Sequence, residues 1–161
     1  MKKSLIYAAT LALSALILMP VYSASANDDN ARFPHIDGNS QFPYTRWYPV
    51  RHSMRVHIPK NSQAVSQIVI QVPETLTISS KNCIDVEDSK GRNINADVSI
   101  NNKTILLSFQ DSLPPNTEIE IDINDVRGLK GGNGPIYRLF TKFTGSDVQI
   151  PIGIARFRIN N

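Results

Sequence analysis

Cysteine is nearly absent from this sequence of 161 residues, which contains only Cys83. A single thiol excludes a disulfide within the chain, so an exported protein of this sequence has to be stabilised by packing. We expect Cys83 to be a small buried apolar side chain. The alternative is a disulfide to another chain.

Catalytic motifs are also scarce. The sequence has three histidines, all before residue 58, and no G-x-S-x-G nucleophile elbow. The glycine-rich stretch from Gly128 to Gly134 is not followed by the helix that a phosphate cradle needs, so we interpret it as a flexible loop. The sequence therefore favours a protein that is not an enzyme and that uses no cofactor.

A strong excess of one charge is missing as well. The formal net charge is +3, and it falls to +1 without the first 26 residues, which hold two lysines and no acid. Nucleic-acid-binding proteins usually carry a much larger positive excess, so we expect no nucleic-acid partner. The charge is segregated, with −6 over residues 74–125 and +5 over residues 126–161. Segments of opposite sign can pair within the fold.

The first 26 residues have the pattern of a cleaved signal peptide. The positive start Met1–Lys3 precedes an apolar run, Leu5–Val21, and the small residues Ala24–Ala26 precede a polar stretch. This arrangement predicts cleavage after Ala26 and export to the periplasm or the extracellular space. An uncleaved anchor is the alternative, because the run is nearly long enough to span a bilayer. We expect no transmembrane segment in the mature chain.

Residues 27–49 contain prolines and aromatic residues but few aliphatic ones. Proline fixes φ and disfavours a helix before it, so this segment is predicted to be an extended arm. The arm either packs along the rest of the protein or presents its aromatic side chains to a protein or envelope partner. These aromatic residues are Phe33, Phe42, Tyr44, Trp47 and Tyr48.

After the arm, apolar side chains recur at every second position. In the clearest case, Ile119, Ile121 and Ile123 alternate with acidic residues. Similar short segments are separated by turn sequences such as Asp88–Gly91 and Asn101–Asn102, and no segment has a convincing helical repeat. Residues 50–161 are therefore predicted to form one all-β domain, an antiparallel β-sandwich of about seven to eight strands, which we expect to be monomeric.

The stretch from Arg51 to Pro59 places two histidines and a methionine close together. On a strand, His52 and Met54 point to one face and His57 to the other. Imidazole and thioether groups suit copper, and His35 of the arm could supply a further ligand. We favour the alternative that these are ordinary residues of a strand that bind no metal.

An acidic strand offers a second metal hypothesis. Glu118, Glu120 and Asp122 share one face, and a row of carboxylates can bind calcium. However, calcium prefers six to eight oxygens that converge from a loop. We favour a solvated face whose acids pair with basic residues of neighbouring strands. The expected basic partners are Arg138, Lys142, Arg156 and Arg158.

Several segments resemble the domain-of-unknown-function family 2808, exported proteins found largely in cyanobacteria. The resemblance covers roughly residues 45–159 and rests on four stretches of this sequence. They are "MRVHIPKNSQAVSQIVIQV", "LPPNTEIEIDI", "DVRGLKGGNGPIYRLF" and "IPIGIARFRI". The chain departs from the family at Asn116, where a glycine is usual, and at Gly128-Leu129, where an Asn-Pro is frequent.

The resemblance implies an exported protein with an immunoglobulin-like sandwich, and it transfers no catalytic or binding residue. Together with the sequence patterns, it predicts a non-catalytic interaction module of the cell envelope or the extracellular space. The alternative is a periplasmic protein that handles copper or calcium.

Overall fold

The computed structural model describes residues 31–44, 49–129 and 134–158. The predicted signal peptide, residues 1–26, lies outside the described residues. So do Trp47 and Tyr48 of the arm and residues 130–133 of the glycine-rich loop. Within the described ranges, no helix has the length and the apolar character needed to cross a membrane.

The described residues form ten strands and one turn of 3-10 helix, Lys81–Cys83. The strands are β1 (His35–Phe42), β2 (Val50–Ile58), β3 (Val65–Gln71), β4 (Thr77–Ile78), β5 (Ile84–Asp88), β6 (Ala96–Asn101), β7 (Thr104–Leu113), β8 (Thr117–Arg127), β9 (Ile136–Phe143) and β10 (Ile150–Arg156).

The strands form two antiparallel sheets. Sheet A has the order β1-β2-β8, and β4 and β5 both pair with β8. Sheet B has the order β10-β9-β3-β7-β6. The predicted all-β, immunoglobulin-like antiparallel sandwich is therefore confirmed.

Part of the extended arm is a strand of sheet A. Residues 35–42 form β1, which pairs with β2 at the edge of the sheet. The arm strand and the two-residue β4 bring the number of strands to ten, compared with the predicted seven to eight. The predicted domain limits, 1–26, 27–49 and 50–161, stay predictions.

The period of two in the sequence corresponds to the buried face of each strand. Ile119, Ile121 and Ile123 of β8 are at most 1% exposed, and Ile105 and Leu107 of β7 are fully buried. All five belong to one apolar cluster to which both sheets contribute. Burial of one such side chain contributes about 1.5–3 kcal/mol, so the alternating aliphatics provide the main driving force for the sandwich.

The backbone conformation of Asn116 accounts for one departure from the expected family pattern. It lies in the turn between β7 and β8 with a φ of +60°, in the left-handed region. Glycine adopts this conformation most easily, and asparagine is among the side chains that tolerate it best. A glycine, which the family resemblance leads us to expect here, could adopt the same conformation.

Both described ends of the glycine-rich loop are closely packed. Gly128 and Gly134 have φ values of +85° and +73°. A Cβ atom on Gly128 would clash with the Thr75 carbonyl oxygen, and one on Gly134 would clash with the Phe157 carbonyl oxygen. The two glycines therefore allow backbone contacts that a side chain would block.

Candidate functional site

Strands β1 and β2 bring together three side chains that could bind a metal ion. His35 lies opposite His57 in the register, and one ligand atom from each of His35, Asp37 and His57 lies within 4.8 Å of the others. Asp37 Oδ1 is 3.1 Å from His35 Nε2, and Asp37 Oδ2 is 3.6 Å from His57 Nδ1. About a quarter of each side chain is exposed, 24–26%. We call these three residues the outer histidine cluster.

A β-bulge places Asp37 in this cluster. In the pairing of β1 with β2, Ile36 is opposite Val56 and Gly38 is opposite Arg55, so Asp37 is an extra residue without a direct partner. In an unbroken register Asp37 itself would be opposite Arg55. Bulges redirect side chains, and this one leaves the Asp37 carboxylate beside the two imidazoles.

The four residues considered as copper ligands do not lie together in the structure. It brings His35 and His57 together, whereas His52 and Met54 lie fully buried in the core. The sequence alone does not point to Asp37 as their neighbour. The spacing of His35 and Asp37 on an extended arm was a usable signal, but their contact with His57 depends on a strand pairing that the sequence does not show.

His52 belongs to a buried polar network that joins the two sheets. Its Nδ1 lies 2.8 Å from the Tyr137 hydroxyl of β9, and its Nε2 lies 3.1 Å from Oε1 of Gln41 on β1. Because the amide oxygen of Gln41 can only accept, Nε2 carries the hydrogen and Nδ1 accepts from Tyr137. The ring also stacks on Phe157, with centroids 4.0 Å apart and planes 12° from parallel. We call these four residues the inner histidine network.

Burial keeps the inner histidine network uncharged. Desolvation lowers the pKa of His52 from 6.5 to about 4, because the core cannot solvate an imidazolium ion. Burial also raises the pKa of Tyr137 above its ordinary value. His52 is therefore a neutral structural residue at physiological pH, with both ring nitrogens in hydrogen bonds.

The acidic residues of β8 line the outer face of sheet A beside acids of β5. Glu120 lies opposite Glu87, and Asp122 lies opposite Asp85. On the other side of β8, the basic residue Arg55 is opposite Glu120. We call this surface the acidic face; it consists of Asp85, Glu87, Glu118, Glu120 and Asp122.

The expected pairing of these acids with the later basic residues is wrong. Arg138 and Lys142 lie on β9, and Arg156 lies on β10, so all three belong to sheet B. Asp122 interacts instead with β2, where it accepts a hydrogen bond from Ser53 and its Oδ2 lies 3.5 Å from Arg51 Nη1. Calcium binding at Glu118, Glu120 and Asp122 stays a prediction.

The described aromatic residues of the arm are largely exposed. Phe42 is 65% exposed, Tyr44 is 66% exposed, and Phe33 is 55% exposed. Phe33 also stacks against Phe143 of sheet B at a centroid distance of 6.5 Å. Tyr44 borders a groove that runs between the end of β1 and the end of β10. The other residues of this groove are Asn39, Ser40, Gln41, Arg156, Phe157 and Arg158.

Cys83 is not the buried apolar residue that the sequence predicted. It is half-exposed, and its Sγ lies 3.5 Å from the Ser80 hydroxyl oxygen. It directly precedes β5, which β8 separates from the two strands that carry the histidines. A disulfide to another chain stays a prediction.

The family can now be assigned. Residues 36–132 match the family described as "Protein of unknown function (DUF2808)". The chain belongs to the DUF2808 family. The match begins at the second residue of β1, so it covers all of sheet A except His35. Among curated protein sequences, none matches this chain.

Two solved structures have a fold similar to that of this chain. The major pilin subunit of Bacillus cereus superposes with a TM-score of 0.53 at 13% identity, over 77% of this chain and 39% of the pilin. The pilus backbone protein of Streptococcus pneumoniae gives a TM-score of 0.50 at 8% identity, over 68% of this chain and 31% of that protein. This chain therefore matches only about a third of the length of either protein. At such identities the likeness concerns the fold alone.

Proposed function

We propose that this DUF2808 protein is an exported, non-catalytic interaction module that binds a component of the cell envelope or the extracellular space. The observation that carries the proposal is the exposure of Phe42 and Tyr44, each about two-thirds exposed at the end of β1. Large exposed aromatic groups cost solvation free energy unless a partner covers them, and they are enriched in binding surfaces.

The surroundings of these aromatics support binding. Tyr44 borders a groove that is also lined by Asn39, Arg156 and Arg158. Aromatic and arginine side chains beside amides can combine apolar contact with directed hydrogen bonds. We call Phe42, Tyr44 and this groove the arm surface.

The separation of the reactive groups among the described residues supports the non-catalytic part of the proposal. The thiol of Cys83 lies beyond β8 from the histidines, and His52 is enclosed in the core. The outer histidine cluster offers two imidazoles and a carboxylate without an identified nucleophile. The two solved structures of similar fold are a pilin subunit and a pilus backbone protein, which is consistent with the proposal as an analogy.

Export, and a periplasmic or extracellular location, belong to the same proposal. They rest on the leader pattern of residues 1–26. Cell fractionation with sequencing of the mature N-terminus tests them, and a chain that keeps its leader in the cytosol contradicts them. A cyanobacterial host and a monomeric state stay predictions.

The binding experiment compares three forms of the protein as bait in extracts of the native envelope. They are the wild type, the double variant Phe42→Ser/Tyr44→Ser, and the control Val148→Ser, which replaces another apolar side chain that is 65% exposed. We expect a partner that the wild type and the control recover equally. The double variant should recover at least about tenfold less, because aromatic anchors dominate interface energies. Equal recovery by all three forms contradicts the proposal.

A further inference from the structure

We infer that the outer histidine cluster, His35, Asp37 and His57, is a binding site for one divalent transition-metal ion of the zinc or copper class. This inference is independent of the arm surface, because it concerns a different group of side chains. It also differs from the copper hypothesis based on the sequence. His52 and Met54 are no longer ligands, and the Asp37 carboxylate is one.

The spacing of the donor atoms fits a small ion. Zinc binds imidazole nitrogen and carboxylate oxygen at about 2.0–2.2 Å, which places neighbouring ligand atoms about 3.4 Å apart in a tetrahedral site. Asp37 Oδ1 lies 3.1 Å from His35 Nε2, and the second oxygen of the same carboxylate, Oδ2, lies 3.6 Å from His57 Nδ1. All three donors lie within 4.8 Å of one another, so small side-chain rotations suffice to converge on one ion.

The types of donor select the class of metal. Two imidazole nitrogens and one carboxylate oxygen suit zinc, copper, nickel and iron, whereas calcium and magnesium prefer oxygen ligands alone. Three protein ligands with about a quarter of their surface exposed leave one or more coordination positions to water. The site therefore has one protein ligand fewer than a closed four-ligand zinc site.

The bulge in β1 provides an independent structural argument. A regular pairing would place Asp37 opposite Arg55, where a salt bridge would occupy the carboxylate. The extra residue instead puts Gly38 opposite Arg55, with Arg55 Nη2 3.0 Å from where a Cβ of Gly38 would lie. The irregularity thus takes Asp37 out of direct register with Arg55, and the Asp37 carboxylate lies against the two histidines.

A metal at this site would hold the edge of sheet A together. Two of its ligands lie on β1 and the third lies on β2. Binding of the ion to the folded form alone raises the melting temperature by mass action. The remaining histidine of the chain, His52, should not compete for the ion, because it is fully buried and has hydrogen bonds at both ring nitrogens.

The test uses the purified protein without a polyhistidine tag and measures metal binding by titration calorimetry and by melting curves. The probes are Zn²⁺ and Cu²⁺, with Ca²⁺ as the control ion. We expect about one Zn²⁺ or Cu²⁺ per chain, a higher melting temperature that a chelator reverses, and no effect of Ca²⁺.

Three variants connect binding to the named residues. Asp37→Asn, His35→Gln and His57→Gln should each weaken binding at least about tenfold, because each removes one of three ligands. Asp147→Asn, which changes an exposed carboxylate in the loop between β9 and β10, should bind like the wild type. Melting curves without metal confirm that each variant is folded.

The inference is overturned if the wild type binds neither zinc nor copper, or if Asp37→Asn and His57→Gln bind as tightly as the wild type. It is also overturned if Ca²⁺ binds at the cluster in preference to Zn²⁺. None of these results affects the proposed arm surface, whose test depends on Phe42 and Tyr44.

Discussion

Two histidines of one strand differ completely in their surroundings. His52 points into the sandwich, is fully buried and stacks on Phe157. His57, five positions further along β2, points outward beside Asp37 and keeps 24% of its side chain exposed. The face of the strand, and not the residue type, therefore decides which histidine stabilises the fold and which one remains accessible to a ligand.

The largest expected effect comes from removing the buried histidine. His52→Ala deletes a ring that stacks on Phe157, leaves a cavity, and removes the partner of the Tyr137 hydroxyl. We expect the free energy of unfolding to fall by about 3–5 kcal/mol, as for other large-to-small changes in a core. Urea denaturation at pH 7 measures this value. A loss below about 1 kcal/mol would show that the inner histidine network contributes little.

Acid should produce the next largest effect, and through the same residue. The pKa of His52 is 6.5 in the unfolded chain and about 4 in the folded protein, so the unfolded state takes up the proton first as the pH falls. Stability contributed by neutral His52 is therefore complete above pH 6.5, is lost between about 6.5 and 4, and changes no further below. At about 1.4 kcal/mol per pKa unit, the total loss is about 3 kcal/mol.

The pH effect is measured by urea denaturation of the wild type and of His52→Gln across this range. His52→Gln has no titrating group at this position. As the pH is lowered from 6.5 to 4, its free energy of unfolding should therefore decrease less than that of the wild type. Parallel curves for the two proteins would assign the pH dependence to other groups.

A smaller loss is expected when the network keeps its ring but loses one donor. Tyr137→Phe removes the hydroxyl that donates to His52 Nδ1 and leaves a buried acceptor without a partner. We expect a loss of about 1–3 kcal/mol in the free energy of unfolding. Combining this change with His52→Ala should cost less than the sum of the two single losses, because both remove the same hydrogen bond. Additive losses would contradict this coupling.

The smallest effect should come from the outer histidine. Without added metal, His57→Gln should change the free energy of unfolding by less than about 1 kcal/mol, because partly exposed ion pairs contribute little. Chemical denaturation in the presence of a chelator measures this value. A loss as large as that of His52→Ala would remove the distinction between the two faces of β2.

The sequence pattern predicted the fold well because aliphatic alternation is a local signal. The alternation of Ile119, Ile121 and Ile123 predicts a strand and its buried face without information from any other segment. The arm strand β1 lacks this signal, since its sequence HIDGNSQF has few aliphatic residues. Its place in sheet A comes from pairing with β2 and could not be derived from its own composition.

The candidate site was only partly predictable because it depends on register. His35 and His57 attracted attention as histidines, yet the bulge that brings Asp37 beside them is a property of two paired strands. The same limit explains the wrong partners of the acidic residues. Opposite charge along the chain does not reveal which sheet a strand joins, and Arg138 lies in sheet B whereas Glu120 lies in sheet A.

The acidic face has a consequence for the conditions in which this protein is most stable. Asp85 and Asp122 are directly opposite, as are Glu87 and Glu120, and like charges in such positions repel each other. Dissolved salt screens this repulsion over about 10 Å at 0.1 M. Rising ionic strength therefore relieves a strain across β5 and β8. Salt also screens the attraction of Asp122 to Arg51 and of Glu120 to Arg55, so the cationic neighbours on β2 set how much of the repulsion it can relieve.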